Sequence, residues 1–385
     1  MKILQIPNYM YPNIGGVEQV GRDIVNVLQG ESDIEQKIIC FNEHASDGDY
    51  ICKRKETVHD QVDGVDVIRC GCIAKIQSQS LSLTYAQELS KLINDFQPEV
   101  VIFHYPNPFV ASLLSKYMKR NLRLILYWHL DITQQKLLGK LFHGQTIRLL
   151  EWADVVVATS PNYIEGSPYL NRYKNKCIVV PNCIGTRRMQ ITEEISIKAD
   201  QLRKKYEGKM LCFGLGRHIP YKGFTYLIKA SKLLDDNFRI CIGGKGPLTE
   251  RLQTEAQGDA KIAFLGRISN EEMVAYYLAC DIFCFPSITK NEAFGIALAE
   301  GMYFGKPAVT FKIVGSGVNY VNINGVTGIE CPNGNVEAYA GALRKLASDT
   351  ELRKKLGKNA RQRVNEQFMR EQFSKKIKSL INSLR

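Results

Sequence analysis

Glu292-Ala293-Phe294-Gly295-Ile296-Ala297-Leu298-Ala299-Glu300 follows an apolar run at 281–285 and a Pro286-Ser287 turn. A short apolar run closed by a turn reads as a buried strand. Gly295 then opens a stretch of small residues, Ala297, Ala299 and Gly301, that suits a helix lying close to its strand. Strand, turn and helix in that order make half of a parallel α/β unit. The first N–H groups of such a helix lack intrahelical acceptors, and the helix dipole adds positive potential, so the turn can hold a phosphate. Glu292 falls just before the helix and Glu300 about two turns along it. Each is a carboxylate able to accept from hydroxyl groups, one from a single hydroxyl and the other from a vicinal pair. Taken alone, the segment equally fits two solvated glutamates bracketing a buried helix.

Outward from this segment the same alternation continues in both directions. Strand-like runs at 209–213, 238–242, 261–264, 307–310 and 328–331 are separated by helix-like segments such as 224–234, 270–279 and 336–347. An earlier series comprises 2–6, 36–41, 65–70, 99–105, 123–129, 154–159 and 177–181. Two successive series predict two doubly wound α/β domains, with ligands at the carboxyl ends of the strands. The expected division is 1–185, a polar connection at 186–208, a second domain at 209–365, and a basic C-terminal helix at 366–385 that packs back on the first domain.

The chain has 385 residues, 45% hydrophobic and 23% charged, which suits a two-domain globular enzyme. No apolar stretch approaches the length of a membrane span, and the start of the chain lacks a secretory signal pattern. The eleven cysteines show no paired C-x-x-C spacing, and several sit in apolar runs, so a reduced, cytoplasmic setting is expected. The net charge is +12, and residues 353–385 hold eleven Lys or Arg against two acids. That stripe, the apolar-basic stretch 135–142 and the cations at 115–120 suit either solvated faces or an anionic membrane surface. A nucleic-acid partner is not expected, because no interleaved aromatic and basic motif is present.

Three further loops fall where strands meet helices. Gly214-Leu215-Gly216-Arg217-His218-Ile219-Pro220-Tyr221-Lys222-Gly223 brings two cations, Arg217 and Lys222, to the end of a strand. A diphosphate leaving group gathers negative charge as its bond breaks, and such cations stabilise it. Gly243-Gly244-Lys245-Gly246-Pro247 follows the next strand and matches neither the dinucleotide fingerprint nor the P-loop. Gly15-Gly16-Val17-Glu18 opens the first helix of the chain, where backbone N–H groups suit an anion.

Gly15-Gly16-Val17-Glu18, Arg217 with Lys222, and Glu292 with Glu300, in that order, resemble the retaining family 4 glycosyltransferases, and the resemblance spans essentially the whole chain. It implies the GT-B fold, two Rossmann-like domains with parallel sheets facing a central cleft. It also implies transfer of a hexose, with retention, from a UDP- or GDP-sugar to a glycan or polyprenyl-linked acceptor. A bacterial surface-polysaccharide pathway follows by the same resemblance, as does a protein on the inner face of the cell membrane. No prosthetic group and no metal are expected.

By the resemblance, Arg217 and Lys222 bind the donor diphosphate, and Gly16 approaches it from the first domain. Glu300 holds the ribose and Glu292 faces the transferred sugar. Ala293, Phe294, Gly295 and Ile296 contact the sugar and distal phosphate through backbone amides. Gly244 lines the nucleotide pocket, and Arg267 and Ile268 read the base. His129, in Tyr127-Trp128-His129-Leu130-Asp131, lies near the donor sugar, and His104 and Asp131 fall on the acceptor side. One departure is that Cys183-Ile184-Gly185 follows Pro181-Asn182, where the family often has glycine, an aliphatic residue and aspartate. Two alternatives share the architecture: a nucleotide-sugar 2-epimerase, and a nucleotide-sugar-binding subunit without transfer activity.

Overall fold

The computed structural model describes residues 1–13, 15–43, 50–76, 79–118, 121–132 and 136–385, with side chains throughout except at 136–141, 186 and 187. It divides into two compact units. The first comprises Met1–Thr159, Ser167–Val180 and Phe373–Arg385, and the second Ser160–Gly166 and Pro181–Gln372.

The first unit holds β1 (Lys2–Ile6), β2 (Glu35–Phe41), β3 (Val58–Val62), β4 (Val65–Cys70), β5 (Ala74–Ile76), β6 (Gln79–Leu81), β7 (Val100–Tyr105), β8 (Arg123–Trp128), β9 (Val155–Ala158) and β10 (Cys177–Val179). Eight of them form one sheet in the order β10-β9-β8-β7-β1-β2-β4-β3, parallel except for the β3–β4 pair. The order reverses between β1 and β7, which opens a crevice at their carboxyl ends. All six residues of β7 are buried, as a strand covered on both faces requires.

In the second unit, β11 (Met210–Leu215), β12 (Phe238–Gly243), β13 (Ile262–Gly266), β14 (Ile282–Phe285), β15 (Ala308–Lys312) and β16 (Gly328–Pro332) form a wholly parallel sheet. Its order, β13-β12-β11-β14-β15-β16, reverses between β11 and β14. Phe213, Phe283, Leu298 and Tyr339 lie in its continuous apolar core.

Every strand-like run of the sequence is a strand here. The antiparallel β3, β5 and β6 are additional. Val58-His59-Asp60-Gln61-Val62 is mostly exposed and polar, and β5 and β6 have three residues each, so backbone pairing rather than an apolar pattern defines them.

Residues 186–208, expected as a connection, instead belong to the second unit. The helix Glu193–Lys205 there is capped by Thr192, whose hydroxyl accepts from the Ile195 N–H at 3.3 Å. It buries only Ile195 and Ala199, while Arg203 forks onto Asp281 at 2.9 and 3.0 Å. An apolar stripe that narrow does not register as a core helix in sequence.

The C-terminal helix Arg370–Asn382 buries Phe373, Ile377, Leu380 and Ile381. Within the first unit, Lys376 donates to the Val179 carbonyl at 3.1 Å, Lys378 pairs with Glu31 and Arg385 with Asp33, both at 2.6 Å. Part of the basic stripe is therefore already partnered. The other basic features are only partly visible: Lys119, Arg120, Gln135 and the side chains of 136–141 lie outside the described residues. Among the described residues no helix is long and apolar enough to cross a membrane.

Candidate active site

In the second unit the sheet order reverses at β11 and β14, and the loops leaving these two strands carry Arg217, Lys222 and Glu292. The loops are tied together by backbone. Gly223 has φ +67, and a Cβ there would lie 2.0 Å from the Pro286 carbonyl oxygen. The Ile288 N–H donates to the Tyr221 carbonyl at 2.9 Å. Only a glycine permits that approach, and it delivers the preceding residue, Lys222, onto Glu292.

Lys222 donates from Nζ to Glu292 Oε2, and the Ser287 hydroxyl donates to the same oxygen at 3.0 Å. Both side chains are largely buried, and Nζ lies 5.2 Å from the centre of the Phe285 ring. Burial by itself depresses the ammonium, but the Glu292 carboxylate outweighs it, and the Lys222 pKa stands above the ordinary lysine value. Lys222 is thus a fixed positive charge. Ser316 donates to the Glu292 carbonyl at 2.5 Å, holding the main chain as well.

Gly295 caps the helix Ile296–Tyr303 with φ +91; Leu298 and Ala299 donate to its carbonyl at 3.0 and 3.1 Å, which leaves the Ile296 and Ala297 N–H groups at the helix start without intrahelical acceptors. On that helix Glu300 is buried; it accepts from Arg188 on Oε1 and from the Tyr277 hydroxyl on Oε2 at 3.2 Å. Each oxygen retains a second lone pair.

The neighbouring loops stack on this frame. Gly244 has φ +115, its N–H donates to the Gly266 carbonyl at 2.7 Å, and a Cβ on it would lie 2.0 Å from the Gly216 carbonyl oxygen. Arg217 is exposed. Arg267 is exposed and Ile268 half-buried, just beyond β13. Lys222 and Glu292 therefore meet directly, Ala293 to Ile296 lie between them and Glu300, and Arg217, Gly244, Arg267 and Ile268 occupy loops along the same carboxyl edge. Ser287, Ser316, Tyr277 and Arg188 are additional residues that sequence reasoning missed. Ser287 adjoins the turn already singled out, but Arg188 sits in a polar connector with nothing to mark it.

In the first unit Gly16 is exposed and starts the helix Gly16–Leu28. A Cβ on Gly15 would lie 2.3 Å from Glu18 Oε2, so the Glu18 carboxyl folds back over the helix start. Burial raises the Glu18 pKa, and its own N–H opposes that shift.

His129 and His104 form a buried pair, Nε2 of the former 2.8 Å from Nδ1 of the latter, stacked with Tyr127. His104 Nε2 is also engaged, by Gln5 Oε1 at 3.1 Å. Both ring nitrogens of His104, the residue expected on the acceptor side, are thus engaged within the first unit. Asp131, expected on the same side, is buried and accepts from the Trp128 indole at 3.1 Å and the Ser167 hydroxyl at 2.7 Å. Burial lowers both imidazoles, His129 to about 3, so both are neutral near pH 7. Among the described residues no three His, Cys, Asp or Glu side chains gather as metal ligands.

Two family models account for most of the chain. "Glycosyltransferase Family 4" matches residues 14–188, and "Glycosyl transferases group 1" matches 196–363. The chain belongs to the family 4 glycosyltransferases. This glycosyltransferase is 27% identical over 373 residues to the O-antigen chain mannosyltransferase C of Escherichia coli, covering 96% of this chain and 94% of that one. It is 29% identical over 382 residues to a D-rhamnosyltransferase of Pseudomonas aeruginosa, covering 96% and 92%. Among solved structures, sucrose-phosphate synthase from Thermosynechococcus elongatus superposes with a TM-score of 0.77 at 18% identity, covering 100% of this chain and 98% of that one. An Anabaena protein solved in complex with UDP and glucose gives 0.76 at 17%, each chain covered entirely. The glycosyltransferase therefore has the GT-B fold, with Rossmann-like units of parallel sheet.

Proposed function

We propose that this glycosyltransferase moves a hexose, with retention of configuration and without a metal ion, from a UDP- or GDP-sugar to a glycan or lipid-linked glycan. The observation that carries the reading is Lys222 held against Glu292 where the second sheet reverses, beside the helix start at Gly295. A fixed cation and unpaired N–H groups stabilise a departing diphosphate. The bond from the anomeric carbon to the diphosphate breaks, and its electron pair leaves with the phosphate oxygen. The acceptor hydroxyl bonds to the same face of that carbon, and its proton passes to the departing oxygen. Arg217 adds charge to the diphosphate, and Glu292 orients the sugar through a hydroxyl. Glu300 receives the ribose hydroxyls on the lone pairs left by Arg188 and Tyr277. His129 contacts a donor-sugar hydroxyl, and Gly16 faces the distal phosphate.

The O-antigen mannosyltransferase and the D-rhamnosyltransferase support a place in bacterial surface-polysaccharide synthesis. There the enzyme works as a peripheral protein on the inner face of the cell membrane. The test is transfer from UDP- and GDP-hexoses to a polysaccharide acceptor, with the anomeric configuration read by NMR. Retention is expected, with loss of transfer in Glu292→Ala. An inverted product, or full activity in that variant, refutes the reading.

A further inference from the structure

In the first unit a line of buried polar groups runs from a helix carbonyl to His129. Gln5, on β1, donates from Nε2 to the Gly21 carbonyl at 3.1 Å. That fixes its amide orientation, so Oε1 faces His104 as an acceptor. Oε1 lies 3.1 Å from His104 Nε2, which must therefore carry the proton and donate. His104 Nδ1 is then a bare acceptor, and the group it faces at 2.8 Å, His129 Nε2, must donate to it. A neutral imidazole carries one N–H. With that proton on Nε2, His129 Nδ1 is left with only a lone pair.

The surroundings hold this arrangement. Gln5 and His104 are essentially inaccessible, and His129 is 6% exposed. The His104 and His129 rings and the Tyr127 ring stack with centroids 5.1 to 5.4 Å apart, which prevents ring flips without displacing neighbours. Ligated or catalytic imidazoles have their tautomer set by the partner on the other nitrogen, and here that partner is a second imidazole set in turn by an amide.

We infer that Gln5 and His104 are positioning residues that lock His129 in the Nε2–H tautomer, so that its Nδ1 can only accept a hydrogen bond from a substrate hydroxyl. The part that concerns substrate rests on the proposed placement of His129 beside the donor sugar. A site of this kind selects for a hydroxyl at the contacted position and rejects a carbonyl or ether oxygen there, since neither can donate. It also bars His129 from serving as a proton donor through Nδ1.

The experiment is 15N NMR on the full chain labelled at its six histidines, with the His129 signals identified by their absence in His129→Asn. The expected wild-type spectrum has His129 Nδ1 unprotonated and Nε2 protonated at pH 7.5. In His104→Leu the two nitrogens should average as tautomers exchange, and kcat/KM for transfer should fall about tenfold. In His104→Gln the amide oxygen accepts from His129 and the amide N–H donates to Gln5, so the fixed tautomer and most of the activity should return. Should His104→Leu fail to fold, Gln5→Leu removes the same constraint one step back and is read in the same way. A protonated Nδ1 in the wild type, or an unchanged His129 spectrum in His104→Leu, overturns the inference. So does unchanged transfer in His104→Leu when His129→Asn has lost it. If His129→Asn itself transfers normally, the proposed contact of His129 with substrate fails, and the NMR result alone decides the tautomer lock.

Discussion

The Lys222–Glu292 pair can be separated from its function by a double-mutant cycle. Their side chains are 15% and 10% exposed. Removing one partner of a buried ion pair costs roughly 3–5 kcal/mol, because the other charge is stranded. In Lys222→Met the Ser287 hydroxyl still donates to Glu292 at 3.0 Å, which places the loss near the lower end, about 3 kcal/mol. Adding Glu292→Gln removes the stranded charge, and the double variant should recover about 2 kcal/mol of that loss. In a second unit of roughly 200 residues, each kcal/mol moves Tm by about 2–4 °C. Calorimetry should thus show that unit melting about 6–12 °C lower in Lys222→Met and about 2–4 °C lower in the double variant. The folded pKa of Lys222 is raised, so its stabilising contribution is complete below the unfolded value near 10.5 and is lost only as pH rises through the higher folded value. The deficit should accordingly be constant between pH 6 and 9. Transfer should be absent from both variants, because neither restores the cation proposed to face the diphosphate. Additive Tm shifts, or transfer recovered in the double variant, would refute the reasoning.

Three other predictions concern the frame around the site. The folded pKa of His129 is about 3, and that of His104 is also well below the usual value, so the unfolded chain binds more protons than the folded one below about pH 6.5. Stability should fall with decreasing pH from about 6.5, by up to roughly 1.4 kcal/mol per pH unit for each imidazole. Urea titrations from pH 7 to 5 should show a shallower slope in a His104→Gln, His129→Asn variant. Gly244→Ala drives a Cβ onto the Gly216 carbonyl and should weaken UDP or GDP binding at least about tenfold by calorimetric titration, whereas Gly295→Asn should cost less stability than Gly295→Ala because asparagine tolerates positive φ better. Of the free thiols, Cys52 and Cys177 are partly accessible and the other nine are buried. A thiol reagent should label those two first and reach the rest only on unfolding.

The fold was legible because a parallel sheet covered on both faces needs continuous apolar strands, and β7, β8, β11 and β14 are written that way. The edge elements were not, since β3 and the β5–β6 pair depend on backbone pairing between stretches of ordinary composition. The helix Glu193–Lys205 escaped for a related reason, its buried stripe being only Ile195 and Ala199. At the site, glycines at positive φ and charged residues after strands were readable from type and place. The partners of those charges were less so. Arg188 reaches Glu300 across 112 positions of sequence, and Ser316 reaches the Glu292 carbonyl across 24.

The amino-acid order alone determined which segments are buried strands, which loops carry cations or carboxylates, and that both belong to one α/β design, since these follow from local apolarity and from glycine's freedom. It could not determine which nitrogen of His129 holds a proton, nor that His104 and Asp131 face inward. Those are decided where Gln5, His104 and His129, distant in sequence, are brought within 3.1 Å of one another in turn, and where Trp128 and Ser167 close on Asp131. Hydrogen-bond direction is a property of neighbours in space, and only the folded chain supplies them.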